Sequence, residues 1–166
     1  MTDKSNFSPD EWKLLLESVM MAGMAVTAAD PSGLWGLLKE SFATGSALAK
    51  VKLSDGGNPL VKAVVADFET PEGRSAARDG IKAKFDGASG PELKQRSIET
   101  LSEAAALLDA KAPADSVAFK TWLRQISQGV AEAASEGGFA GFGGTLVSDA
   151  EKATLNEISS ALKLAA

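Results

Sequence analysis

Between Ser18 and Ala29 the chain carries no charge, and Val19, Met20, Met21, Met24 and Val26 leave a helix there almost no polar face. Such a helix is stable only when other protein surrounds it. Just upstream the pattern differs, with Asp10, Lys13 and Glu17 on one face. The start is marked as well. Ser8 can cap, Pro9 suits the first helical position, Glu11 completes a capping box, and Phe7 stands where a hydrophobic staple residue would stand. The stretch from Ser18 to Ala29 falls short of the roughly 20 residues that cross a bilayer. The sequence therefore predicts a buried first helix at the centre of an all-α bundle, with no membrane span.

Punctuation divides the rest of the chain into further helices, and no segment alternates like a strand. Asp30-Pro31 opens a second helix, whose apolar face carries Leu34, Trp35, Leu37, Leu38 and Phe42. Asn58-Pro59 opens a third, with Leu60, Val61, Val64, Val65 and Phe68. Its β-branched content would suit a strand, but the i, i+1, i+4, i+5, i+8 spacing predicts a helix. Thr70-Pro71-Glu72 begins a fourth that ends near Asp86-Gly87. Ser89-Gly90-Pro91-Glu92 caps a fifth carrying Leu93, Ile98, Leu101, Ala105 and Leu108. After Pro113 a sixth turns Phe119, Trp122, Leu123, Ile126 and Val130 inward, with Lys120, Arg124, Gln128 and Glu132 as the opposite polar stripe. Gly137 ends it. Ser148-Asp149-Ala150-Glu151 caps a last helix with Leu155, Ile158 and Leu162. The expectation is one all-α domain of six to seven helices over residues 8–166, after a tail at residues 1–7.

Composition removes whole classes of chemistry. The 166 residues include no cysteine, histidine or tyrosine. Thiolate nucleophiles, zinc–thiolate sites, disulfides and a Ser-His-Asp triad are therefore excluded. A serine–lysine pair stays open. The formal net charge is −5, which disfavours nucleic acid, because Lys and Arg read as scattered singly. The polar start, without an apolar run behind basic residues, does not read as a secretory signal. A reducing, cytoplasmic compartment and an enzymatically inactive protein with no cofactor are the expectations.

Three places could carry function. Gly137 to Gly144 is a glycine-rich loop holding Phe139 and Phe142. It lacks the Lys-Ser/Thr ending of a P-loop. It reads either as a flap that touches a partner or ligand, or as a plug of the bundle end. Met20 and Met24, with Trp35 and Trp122, could line a pocket for an apolar ligand. Asp67, Glu69 and Glu72 could supply oxygens to a divalent cation, although capping serves equally well as their reason. The three tryptophans read as core anchors whose indole N–H groups reach rim partners.

Two stretches carry a resemblance. Glu136-Gly137-Gly138-Phe139-Ala140-Gly141-Phe142-Gly143-Gly144, with Val147-Ser148-Asp149-Ala150-Glu151-Lys152, resembles the C-termini of a family of small uncharacterised bacterial all-helical proteins. Asp30-Pro31-Ser32-Gly33-Leu34-Trp35-Gly36-Leu37-Leu38-Lys39-Glu40 is similar in kind. Helix number and acidic balance also resemble the TerB-like bundles of tellurite resistance. The likeness implies a bacterial helical bundle and brings no site residue with it. The leading functional expectation is a non-catalytic interaction or accessory protein with a protein partner or a second copy of itself. A carrier of a small apolar ligand and a carboxylate-based metal protein are the alternatives.

Overall fold

The computed structural model describes residues 2–29, 57–136 and 147–165. Six α-helices form there, with no strand: α1 (Pro9–Ala29), α2 (Pro59–Phe68), α3 (Pro71–Phe85), α4 (Gly90–Lys111), α5 (Pro113–Glu136) and α6 (Asp149–Ala161). The helix expected from Pro31 through Phe42 lies outside the described residues.

Most helices start at a local device readable in the sequence. Glu11 accepts from Ser8 N at 2.7 Å, and Ser8 Oγ accepts from Glu11 N. Phe7 packs on Trp12, with ring centroids 5.8 Å apart, which completes the staple. Asn58 Oδ1 accepts from Leu60 N and Val61 N ahead of α2, so the apolar run there is helical. Thr70 Oγ1 accepts from Gly73 N at the head of α3. The Ser89–Glu92 and Ser148–Glu151 boxes open α4 and α6. Gly87, at φ +71°, makes the left-handed step between α3 and α4 that glycine takes without strain.

α1 contacts all five other helices. Leu15, Leu16, Val19, Met21, Ala22, Ala25 and Val26 are buried along it. α4 runs antiparallel to α1. Lys111 pairs with Glu11 at one end, and Gly90 meets Ala28 at the other. α5 lies alongside, where Ser127 Oγ donates to the Ala22 carbonyl at 2.8 Å. α3 backs onto Glu17 through Gly80. α2 bridges the starts of α5 and α1, with Asn58 donating to Asp115 and Asp67 accepting from Trp12. α6 closes the remaining side through Lys94–Glu157 and Arg124–Ser159.

Residues 2–7 hold local structure: Asp3 caps a 3-10 turn over Lys4–Asn6, and Phe7 is buried. And α1, read over an 18-residue window that tolerates Lys13 and Glu17, reaches a mean hydropathy of 1.2 and is long and apolar enough to cross a membrane. The uncharged stretch alone had looked too short. In the bundle 67% of that window is buried, the pattern of a core helix.

Glu17, expected on the polar face, is buried and pairs with Lys84 at 2.9 Å. A side chain at Gly80 would overlap its carboxylate. Gly80→Ala should therefore lower stability by about 1–3 kcal/mol despite alanine's better helix propensity. Gly129→Ala, with open space around the added methyl, should raise it by up to about 1 kcal/mol. Urea denaturation of the two variants checks both signs.

Candidate functional site

Asp67 sits in the last turn of α2. Its two carboxylate oxygens accept from Lys4 Nζ at 2.9 and 3.1 Å, and Oδ2 also accepts from Trp12 Nε1 at 2.8 Å. Lys4 stands 5.8 Å from the centre of the Trp12 ring. These contacts tie the N-terminal turn to α2. Glu69 and Glu72 are exposed, and the Glu69 carbonyl accepts from Arg74. Among the described residues no three acidic side chains gather where a metal ion could sit.

Met20 and Met24 are half-buried against the core. They fall on the side of α1 that also carries Glu17, which meets α3. Ala22, whose carbonyl meets α5, is about 200° around the helix from Met20. Trp122 shares its face of α5 with Asp115, which bonds to α2, and packs edge-on against Phe119 with centroids 5.2 Å apart. Trp122 belongs to the core cluster against which Met20 and Met24 pack. Trp35, Phe139 and Phe142 lie outside the described residues. The indole N–H of Trp12 finds a partner as expected, whereas that of Trp122 is buried without one, as is Glu151 Oε1.

The stripe on α5 is not a solvated face throughout. Lys120 is only 4% exposed. Its ammonium donates to Asp109 Oδ1 at the end of α4, and Ser116 Oγ donates to the same oxygen at 2.6 Å. Lys163 approaches Asp109 Oδ2 at 3.6 Å. Ser116 and Lys120, one helical turn apart, share the Asp109 carboxylate. The hydroxyl is buried and already donates to a carboxylate, so it is held as a structural donor and not poised as a nucleophile. The hydrogen bonds from Lys120 and Ser116 hold the Asp109 carboxyl below its usual range. Arg124 is half-buried, and desolvation lowers its guanidinium from the ordinary value. It donates to Ser159 Oγ and Gln128 Oε1, which links α5 to α6.

One alignment escaped the sequence reading. Arg74, Arg78 and Lys82 are all exposed on α3 and fall at one-turn steps. They are therefore a row and not scattered single charges. The signal was the i, i+4, i+8 spacing, legible once α3 is known to be a helix.

Comparison of the chain with protein-family models, with curated proteins and with solved structures finds no match.

Asp109 has a consequence for pH. A depressed carboxyl contributes stability that is fully present above its unfolded value, near pH 4, and is lost as pH falls through the lower folded value. Asp109→Asn should lower Tm at neutral pH, because buried Lys120 loses its counter-charge. It should also flatten the fall of Tm below about pH 4. Thermal melts of both proteins from pH 2 to 7 check this.

Proposed function

We propose that this chain is a non-catalytic interaction or accessory protein, a helical scaffold that works through its surface in the bacterial cytoplasm. The observation that carries the reading is the use made of the buried charged groups. Buried Glu17 is matched to Lys84, and buried Lys120 to the exposed carboxylate of Asp109, which also accepts from Ser116. Half-buried Asp67 is likewise matched, to Lys4 and Trp12. Each joins two helices, so each explains itself through packing. A catalytic group needs an open side toward a substrate; buried Glu17 has none, and Asp109 is committed to Lys120 and Ser116. Catalysis would also have to proceed without histidine, cysteine or tyrosine.

Among the described residues Val117 is the one large hydrophobic side chain that is exposed, at 69%. The sequence offers Phe139 and Phe142 as the apolar contributors to a contact. Native mass spectrometry of the protein purified gently from its own cell should show a protein partner or a second copy above the 17.1 kDa chain. Changing Phe139→Ser and Phe142→Ser together should weaken that association while Tm stays within a few degrees. Loss of several kcal/mol of stability would instead identify both rings as core residues. A retained small molecule would favour the carrier.

A further inference from the structure

The row on α3 has a counterpart. On α4, Glu92, Glu99 and Glu103 are exposed and lie within about 40° of one line along the helix, on which half-buried Arg96 also falls, its guanidinium turned to the Lys84 carbonyl. The basic row spans about 12 Å of helix axis and the acidic row about 16 Å, at 1.5 Å per residue. Both rows place like charges at i, i+4, as in Arg74–Arg78, Arg78–Lys82 and Glu99–Glu103. That spacing weakens an isolated helix, whereas opposite charges there would strengthen it. Capping accounts for Arg74 and Glu92, and the helix dipole for Lys82, but local stability does not account for Arg78, Glu99 or Glu103.

Their own contacts within the bundle are few. Arg74 donates to the Phe68 and Glu69 carbonyls at the end of α2. Glu92 accepts from Ser89 in its capping box, and Glu99 accepts from Gln95. Among the described residues Arg78, Lys82 and Glu103 take part in no ion pair, while other exposed lysines, such as Lys4 and Lys111, do. Asp79, next to Arg78 in the chain, accepts from Ser75.

We propose that a second copy of this chain is the partner, held by the basic row of α3 in one copy facing the acidic row of α4 in the other. The proposal rests on the interaction reading above and names its partner. Charge complementarity is the argument. Each molecule carries both halves of the contact, rows of about 12 and 16 Å, on exposed helix faces. Parallel rows of opposite charge steer encounter and set register, and they give a contact that salt weakens. Single exposed ion pairs contribute little, so the association is modest and depends on the row acting together.

The test uses charge reversal and complementation on the full chain. Arg78→Glu and Glu103→Lys are made separately, and each is checked for an unchanged helical spectrum and Tm. Sedimentation equilibrium at 50 mM and 500 mM NaCl should show wild-type association that salt weakens. Each single variant should associate at least tenfold more weakly. An equimolar mixture of the two variants should restore a dimer, because one unaltered basic row then meets one unaltered acidic row. A wild-type monomer at millimolar protein and low salt would overturn the proposal, as would association unchanged in both variants or a mixture that fails to recover. Those results would leave the Phe139/Phe142 test of the interaction reading untouched.

Discussion

Burial of α1 is the constraint on which the other helices depend. From Leu15 to Val26 it has almost no face that water would tolerate, and the five other helices supply the surface that removes it from solvent. The apolar area involved is large, and area is what drives folding. The polar atoms inside are handled locally. Ser18 and Thr27 donate to carbonyls of α1 itself, and Ser127 reaches across to Ala22. Such bonds satisfy buried hydroxyls and fix how α5 lies against α1.

Around that core, charged groups set the register of neighbouring helices. Glu17 accepts the Lys84 ammonium against Gly80, where only a hydrogen side chain leaves room. The Lys84 ammonium also donates to Thr100 of α4, and Arg96 donates to the Lys84 carbonyl, so one residue of α3 meets two helices. Asp109 gathers Lys120, Ser116 and Lys163 and so joins α4, α5 and the residues after α6. Buried ion pairs are weak evidence for stability as such, but breaking one by removing a single partner is costly. Their placement between helices is what makes them specify one arrangement of the bundle.

The helical architecture was legible because its cues are local. Ser8, Asn58, Thr70, Ser89 and Ser148 each act within three residues of themselves, so a reader of the chain meets cause and effect together. The apolar spacing of Leu60, Val61, Val64 and Val65 outweighed their strand preference for the same reason. What could not be read depends on partners distant in sequence. Lys120 looked solvated until Asp109 of α4 met it. Glu17 looked like a surface residue until Gly80 made a place for it. The use of Asp67 by Lys4 and Trp12, 63 and 55 residues away, leaves no trace in local spacing.

α1 also has the length and mean hydropathy of a membrane-crossing segment, so its place at the centre of a stable bundle is the claim most in need of direct measurement. Native-state hydrogen exchange of the α1 amides under increasing denaturant measures it. If α1 is the core, the amides from Leu15 to Val26 exchange only through global unfolding, with the free energy and denaturant dependence of the whole protein. Exchange of those amides through a smaller opening, well below the global free energy, would contradict it and show that α1 leaves the bundle while the other helices stay folded.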